Sequence, residues 1–177
     1  MDFITQLPLA EGYTSILTYV CRLTKQAQFI PIKEHTSAAE LASVFTRYLF
    51  PLHGLPKNIT SDRDPLFLSN FWQHVWTGMN TKFNMSTRNH PQTDGQAEAT
   101  NQILDVMLRF YVNYRQNDWP CYLGLVEYAY NSSAHSVMKQ SPYMVELGYE
   151  PHNPLAIATD DVLQELASSS RFPPDAE

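Results

Sequence analysis

Three acidic residues lie where a β-sheet would bring carboxylates together. Asp2 lies in the first predicted strand, and Asp62 ends the predicted strand Asn58–Asp62. Glu98 stands at the start of a long predicted helix, just after a polar stretch. Sites in open α/β sheets form at the carboxyl ends of strands, where loops and helix starts converge. If the first and fourth strands are neighbours, Asp2 and Asp62 lie side by side and Glu98 approaches from the adjoining helix.

Carboxylates grouped in this way predict a site for divalent cations. Three of them in one small space repel one another and resist joint ionisation, and a cation removes that penalty. Hard oxygen ligands select Mg²⁺ or Mn²⁺, and two such ions about 3.5–4 Å apart can promote phosphoryl transfer. A plainer interpretation stays open from these residues alone. An Asp after a strand is often a turn or cap residue, and Glu98 by itself would favour a helix N-terminus.

The first third of the chain predicts antiparallel strands, and the remainder predicts helices alternating with strands. The strand-like runs are Asp2–Leu7, Thr14–Cys21 and Gln26–Lys33, joined by short connectors that suit hairpins. Pro31 predicts an edge strand or a strand end for the third run. The next predicted element is a helix that begins with a Ser37–Glu40 capping box and is ended by Pro51, Gly54 and Pro56. It is followed by the strand Asn58–Asp62, a helix from Ser69 to Gly78, the strand Thr81–Met85 and the polar loop Ser86–Gly95. The last predicted elements are the long Glu98 helix, a helix capped by Asp118 and running through Tyr130, and a short helix Pro142–Leu147.

Two further expectations concern packing. The long helix should turn an apolar stripe inward, formed by Ile103, Met107, Phe110, Tyr111 and Tyr114. The aromatic series Trp119, Tyr122, Tyr128 and Tyr130 is more typical of a core or a dimer interface than of base stacking. Together, the element order predicts an α/β layer fold with a mixed sheet and helices on its faces.

Composition limits the class of protein. The 177 residues fit one domain, predicted over residues 1–157, followed by an acidic, Ser- and Pro-containing tail or linker over 158–177. No apolar run approaches the roughly 20 residues of a membrane span, and the start does not resemble a signal peptide. Cys21 and Cys121 lie far apart and predict neither a disulfide framework nor a zinc site, which favours an intracellular setting. The net charge of −6 argues against a simple nucleic-acid-coating module.

Several long segments of the chain match one protein family. They include MDFITQLP, RLTKQAQFIP, HGLPKNITSDRDPLF and WPCYLGLVEYAYNSSAHSVMKQSPYMVELGYEPHNP, and the most specific is HPQTDGQAE followed by NQ. Over Met1 to about Pro154 the sequence resembles the integrase catalytic core of LTR retrotransposons, most closely of the gypsy type, within the retroviral-type integrase family. The resemblance implies an RNase H-like fold, a mixed five-stranded sheet of three antiparallel strands and two parallel additions, with helices on both faces.

The resemblance also implies an activity and a catalytic triad. The family uses two aspartates and a glutamate with 35 residues between the second and third, as between Asp62 and Glu98 here. By this match Asp2 would bridge two Mg²⁺ or Mn²⁺ ions, Asp62 would hold the first and Glu98 the second. The implied enzyme is a Mg²⁺-dependent polynucleotidyl transferase with endonuclease activity. It trims the ends of the element's DNA and joins their 3′-hydroxyls to target DNA.

Residues around the triad could contact DNA. The candidates are Arg63, His90, Gln92, Gln96 and Asn101. The alternatives are a surface ion pair for Arg63 and a solvated helix start for the others. The implied partners are element-end and target DNA and further copies of the chain, as a homodimer or higher oligomer. Neither a membrane nor a small-molecule substrate is implied, and the nucleus is the expected place of the integration step.

Several positions depart from the gypsy-type pattern. Cys21 stands in place of an Asp, Asp64 in place of a Gly and Ala99 in place of an Arg, while Arg88–Asn89 and Ala97 are smaller departures. Ala99 removes a cation near the expected DNA path and Asp64 adds an anion next to Asp62, and each change should weaken DNA contact. They favour a second hypothesis, a domesticated or degenerate integrase-derived protein without activity that binds protein or DNA. A plain RNase H-like nuclease is a third hypothesis, which the retroelement-specific segments disfavour.

The acidic balance does not exclude DNA as a partner. The stretch Asp160–Glu177 holds five acids and one Arg, and therefore carries −4 of the net −6. Bound divalent cations would offset the charge of the three triad carboxylates. The core is expected to hold DNA weakly alone and to depend on metal and on basic domains elsewhere.

Overall fold

A computed structural model of the chain describes residues 1–61, 81–85 and 95–152. Several sequence predictions lie outside these ranges: the helix from Ser69 to Gly78, the loop Ser86–Gly95 except its last residue, the tail 158–177, and the candidate site residues Asp62, Arg63, His90 and Gln92. Within the described ranges, no helix has both the length and the apolar character needed to cross a bilayer.

The first three strands form the antiparallel sheet that the sequence predicts. They are β1 (Asp2–Ile4), β2 (Ser15–Val20) and β3 (Ala27–Ile32), in the order β1-β2-β3. The register places Asp2 opposite Thr18, and Ile16 opposite Pro31. Strand β3 is therefore an edge strand among the described elements, as Pro31 indicates.

Two parallel strands form a second sheet, so within the described residues the predicted five-stranded sheet is divided into a three-stranded and a two-stranded part. They are β4 (Asn58–Ser61) and β5 (Lys82–Met85), paired in parallel. The amino group of Met1 donates a hydrogen bond of 2.7 Å to the carbonyl oxygen of Thr60. Because Met1 immediately precedes β1, this bond links the start of β1 to β4 across the two sheets.

Five α-helices and one π-helical turn are described: α1 (Ala38–Val44), the π-helical turn Phe45–Leu49, α2 (Phe50–His53), α3 (Gly95–Tyr111), α4 (Trp119–Ser132) and α5 (Pro142–Leu147). Helix α1 begins at the predicted capping box. The Glu40 N–H donates to Ser37 Oγ at 3.3 Å, and the Ser37 N–H donates to Glu40 Oε2 at 2.7 Å.

Of the three residues predicted to end the first helical segment, Gly54 does so and Pro51 does not. The helical path continues through Pro51 to His53 and ends at Gly54, whose φ is +66°. Proline has no N–H to donate, and its ring crowds the preceding turn of an α-helix. Here that turn is π-helical, and the Phe50 N–H bonds the carbonyl of Phe45, five residues earlier. The wider turn lets the chain pass through Pro51.

Helices cover both faces of the antiparallel sheet, as predicted. Ile16 and Leu17 are neighbours on β2, are both fully buried, and point to opposite faces. On the Leu17 face lie Ile30, Ile32, Leu41, Phe45, Leu49 and Ile59. On the Ile16 face lie Phe29, Leu104, Leu108, Trp119, Leu123, Val126 and Tyr130. The burial of Trp119 and Tyr130 confirms the core interpretation of these two aromatic residues.

The predicted inner stripe of the long helix is wrong for four of its five residues, since only Met107 packs against the core. Helix α3 buries Ala97, Thr100, Leu104 and Leu108, whereas Phe110 is 82% exposed and Ile103 is 46% exposed. The helix carries two apolar stripes, and hydrophobic periodicity cannot choose between them. The small side chains of Ala97 and Thr100 allow the first turns to approach the sheet closely, and this approach selects the Leu104 stripe.

Helix α4 covers the outer edge of β3 with side chains. Asn131 Oδ1 accepts from the Ala27 N–H at 2.9 Å, and Asn131 Nδ2 donates to the Ala27 carbonyl at 2.8 Å. One turn earlier, Glu127 Oε2 accepts from the Phe29 N–H at 2.9 Å. These two side chains satisfy backbone groups that an edge strand would otherwise expose.

The start of α4 differs in one detail from the prediction. Asp118 occupies the N-cap position, but its side chain makes no capping hydrogen bond. Its Oδ1 instead accepts from the Asn113 N–H at 3.1 Å, which fastens the loop ahead of the helix. Pro120 lies in the first turn as predicted, where its missing N–H costs nothing.

Candidate active site

Asp2 is held by hydrogen bonds to both of its carboxylate oxygens. Oδ1 accepts from the backbone N–H of Phe3 at 2.9 Å, and Oδ2 accepts from Asn101 Nδ2 at 2.7 Å. The residue is half-buried on β1. The carboxylate is therefore fixed in one orientation while part of the residue reaches the surface.

Asn101 connects this strand to the helix that carries Glu98. Both residues lie on α3, with Glu98 in its first turn and Asn101 three positions later. Residues three apart on a helix are neighbours on one face, with Cβ atoms about 5–6 Å apart. The hydrogen bond from Asn101 to Asp2 therefore brings the Glu98 end of α3 to Asp2. Glu98 itself is exposed and accessible to a ligand.

The third acid of the predicted triad, Asp62, follows the last residue of β4 in the sequence. Strand β4 ends at Ser61, which is fully buried, and Asp62 is the next residue along the chain. The hydrogen bond from Met1 to Thr60 holds this end of β4 against β1. Asp62 itself lies outside the described residues, and within those residues no group of three His, Cys, Asp or Glu side chains is placed to hold a metal. The two described acids, Asp2 and Glu98, offer the hard oxygen donors that Mg²⁺ prefers.

Gln96 ties the start of α3 to the β2–β3 hairpin. Its Nε2 donates to the carbonyl of Cys21 at 3.2 Å, and its Oε1 accepts from Lys25 Nζ at 3.1 Å. Lys25 also donates to the carbonyl of Arg22 at 2.6 Å. Gln96 is thus engaged within the protein, and its predicted DNA contact stays a prediction.

A second anchor of α3 was not predicted from the sequence. The Thr100 hydroxyl donates to the Gln96 carbonyl at 2.9 Å and lies 3.2 Å from the hydroxyl of Tyr130 on α4. Thr100 and Tyr130 are both buried. The only signal in the sequence was a hydroxyl residue one turn after Gln96. The two anchors hold the first turns of α3 from both sides, and so hold Glu98.

The departures from the gypsy-type pattern fall in different environments. Ala97 is buried against the sheet, so its small side chain serves packing. Ala99 is exposed on α3 and presents no charge to solvent. The carbonyl of Cys21 accepts the Gln96 bond, and its thiol is free. Asp64 and Arg88–Asn89 lie outside the described residues.

Comparison with known proteins identifies relatives of this chain. The Tf2-3 transposon polyprotein of Schizosaccharomyces pombe is 34% identical over 151 residues, which cover 85% of this chain and 11% of that polyprotein. The Tf2-4 polyprotein of the same organism matches to the same extent. The chain thus spans about a tenth of the length of these curated relatives. No protein-family model matches the sequence.

Solved structures share the fold. The HTLV-2 integrase catalytic core domain in complex with magnesium, in its trimeric form, superposes with a TM-score of 0.63 at 18% identity, covering 82% of this chain and 93% of that chain. The simian T-cell lymphotropic virus intasome superposes with a TM-score of 0.66 at 18% identity, covering 99% of this chain and 56% of that one. At this identity the likeness establishes the fold, and it confirms the predicted RNase H-like α/β architecture.

Proposed function

Because the chain is a homologue of Tf2 retrotransposon polyproteins and has the RNase H-like fold of integrase catalytic cores, we propose that it is the catalytic core of a DNA integrase. In this proposal it is a Mg²⁺-dependent polynucleotidyl transferase that trims retroelement DNA ends and joins their 3′-hydroxyls to target DNA. One observation supports the proposal above the others: the 2.7 Å hydrogen bond from Asn101 to Asp2 links the strand of Asp2 to the helix that carries Glu98 in its first turn.

The triad residues fit the metal chemistry of this reaction. Both steps are in-line displacements at phosphorus, in which water or a 3′-hydroxyl attacks and an oxygen leaves. Mg²⁺ or Mn²⁺ held by Asp2, Asp62 and Glu98 would supply activation of the attacking oxygen and stabilisation of the leaving one. The chain supplies rigid placement, because Asp2 is oriented by two N–H donors and Glu98 by the anchored first turns of α3.

A DNA disintegration or strand-transfer assay in Mn²⁺ tests the proposal. Glu98→Gln keeps the shape of the side chain and removes its charge, so we expect activity to fall by at least about a hundredfold, since losing a metal ligand should cost no less than losing a residue that supports one. Gln102→Ala, an exposed change one turn later on α3, is the matched control and should leave activity within about twofold. Equal activity in wild type and Glu98→Gln would remove Glu98 from the triad.

Assembly and location belong to the same proposal. The HTLV-2 core has been solved in dimeric and trimeric forms. We infer that this chain also acts as a dimer or higher oligomer, because two element ends must be joined to one target. Element-end and target DNA are the proposed partners, and the nucleus is the proposed place of integration. Size-exclusion chromatography with light scattering measures the oligomeric state, and a strict monomer at assay concentration would contradict this part.

A second candidate function is a non-catalytic DNA- or protein-binding derivative. It is favoured by the exposed Ala99 on α3, which offers no cation beside the proposed DNA path, and by the engagement of Gln96 within the protein. Calorimetric titration with Mn²⁺ separates the two candidates. Binding that Asp2→Asn abolishes supports the enzyme, and no binding at millimolar Mn²⁺ supports the derivative.

A further inference from the structure

The two amide atoms of Asn101 have different surroundings. Nδ2 donates to Asp2 Oδ2 at 2.7 Å. Oδ1 is buried from solvent and has no hydrogen-bond partner among the described residues. A buried acceptor without a donor is unfavourable, and such an atom at a candidate site calls for an explanation.

The orientation of this amide is fixed by chemistry. If nitrogen and oxygen were exchanged, the Asn101 oxygen would face a carboxylate oxygen of Asp2, and neither could donate. The acceptor of Asn101 must therefore point away from Asp2.

A second orphan polar atom lies on the same side of the sheet. Thr18 is paired directly opposite Asp2 in the β1–β2 register, and its buried hydroxyl also has no partner among the described residues. Directly opposed residues of an antiparallel pair present their side chains on the same face. The two residues that carry these oxygen atoms are both neighbours of Asp2, Asn101 through its hydrogen bond and Thr18 through the strand pairing. Orphan polar atoms around a carboxylate suit an ordered water or a hydrated ion, since a buried water needs two to four polar partners.

We propose that Asn101 positions the metal-binding carboxylate of Asp2 and also accepts a hydrogen bond from the water shell of the bound cation. Its Nδ2 holds Asp2 in the orientation for binding, and its Oδ1 accepts a hydrogen bond from a water on a divalent cation bound by Asp2 and Glu98. Mg²⁺ keeps several of its waters in protein sites, and those waters are donors that need acceptors. Asn101 is a positioning residue in this scheme, and Thr18 offers a further polar contact. The inference rests on the proposed function, because it requires the metal site.

This role is better supported than a direct DNA contact by Asn101. Phosphate oxygens accept hydrogen bonds, so a protein must offer them donors. The donor group of Asn101 is already directed at Asp2, and its remaining atom is a buried acceptor. Residues that orient metal ligands typically change metal affinity 10- to 100-fold when they are replaced.

Two variants and one control test the inference by Mn²⁺ calorimetry and by thermal unfolding with and without Mn²⁺. Asn101→Leu has a similar size and lacks both polar atoms, and we expect its Mn²⁺ dissociation constant to rise at least about tenfold. Asn101→Asp places a second carboxylate against Asp2, so we expect its Tm without metal to fall and its Mn²⁺-induced rise in Tm to exceed that of wild type. Gln102→Leu, on the exposed neighbouring position, should match wild type in both measurements.

The outcomes separate this inference from the proposed function. Mn²⁺ binding by wild type that a folded Asn101→Leu keeps unchanged would overturn the inference alone. If Asn101→Leu does not fold, the Asp variant decides, and a metal response equal to that of wild type overturns the inference. Loss of DNA affinity with unchanged Mn²⁺ affinity would mark Asn101 as a DNA contact instead. Absence of Mn²⁺ binding by wild type itself would overturn the proposed function, and the inference with it.

Discussion

The side chain of Asn131 completes both backbone hydrogen bonds of Ala27. Its Nδ2 donates to the Ala27 carbonyl at 2.8 Å and its Oδ1 accepts from the Ala27 N–H at 2.9 Å, and both residues are buried. Ala27 lies on the edge strand β3, where a further strand would otherwise form these bonds. One side-chain amide on α4 thus makes the two hydrogen bonds that a neighbouring strand would make at this point.

Removing that amide should destabilise the fold. Asn131→Ala leaves the N–H and C=O of Ala27 buried without partners, and each such group costs about 1–3 kcal/mol. We expect the free energy of unfolding to fall by about 2–4 kcal/mol in urea titrations. Ser133→Ala, an exposed change at the end of the same helix, is the control and should stay within about 0.5 kcal/mol of wild type. A loss of that small size for Asn131→Ala would contradict the edge-covering role.

The pH dependence of stability should reveal Glu127. Burial raises the pKa of this carboxyl above its ordinary value of 4.5, although the Phe29 N–H acts in the opposite direction. The folded protein then binds the proton more tightly than the unfolded chain, so Glu127 makes stability fall as pH rises from the ordinary value through the raised one. Glu127→Gln retains an acceptor for Phe29 and should remove this part of the fall. The measurement is the free energy of unfolding of both proteins between pH 4 and 8.

Glu40 is a comparison carboxyl whose pKa is shifted in the opposite direction from that of Glu127. Hydrogen bonds from the Ser37 backbone and side chain lower the pKa of Glu40. Its contribution is present above the ordinary pKa and is lost as pH falls through the lowered one. Glu40→Gln should therefore change the pH profile in the direction opposite to Glu127→Gln. Parallel profiles for the two variants would show that the burial of Glu127 does not govern its ionisation.

The way α3 faces the sheet predicts a large loss of stability on truncating one apolar residue and a small loss on truncating another. Leu104 is fully buried in the core, whereas Phe110 is exposed. We expect Leu104→Ala to lower the free energy of unfolding by about 2–5 kcal/mol. Phe110→Ala should change it by no more than about 0.5 kcal/mol. Thermal and urea unfolding at matched protein concentration measure both, and comparable losses would mean that the helix packs through its other stripe.

The Gln96 anchor should affect the site more than the overall stability. Gln96→Ala removes the bonds to Cys21 and Lys25 and frees the first turn of α3. Because these bonds are only half-buried, we expect a loss of about 1 kcal/mol in unfolding free energy. We also expect faster amide hydrogen exchange in that turn and lower strand-transfer activity. Gln102→Ala should show neither effect. Unchanged exchange in Gln96→Ala would mean that Thr100 alone fixes the turn.

Local sequence signals predicted the structure well where the interacting residues are close in sequence. The Ser37–Glu40 capping box is an example, because its two hydrogen bonds span three residues and depend little on tertiary packing. The three hairpin-linked strands are another, since alternating apolar residues and short connectors determine their pairing. The strand ends were predicted too long at Leu7 and Lys33.

Contacts between distant parts of the chain could not be predicted in this way. Asn131 and Ala27 are 104 residues apart, and Asn101 and Asp2 are 99 apart. In the sequence, Asn101 was a polar residue near Glu98, and a DNA contact was the hypothesis for it. Only the position of α3 against β1 shows that its amide faces Asp2. The same long-range packing decides which stripe of α3 is buried.

The π-helical turn Phe45–Leu49 has a consequence for how this chain tolerates length changes. The π-helical turn holds one residue more than an α-helical turn in the same place. Insertion of a single codon into an α-helical segment would produce the same arrangement. Deleting one residue there should convert the turn into regular α-helix, which would leave Leu41 in the core but bring the Pro51 ring against the preceding turn. The same deletion within α1 would rotate the helix by about 100° per residue and move Leu41 off the core. Loss of a single codon at this turn is therefore expected to disturb the helix at Pro51, whereas the same loss within α1 would disturb the core packing of Leu41.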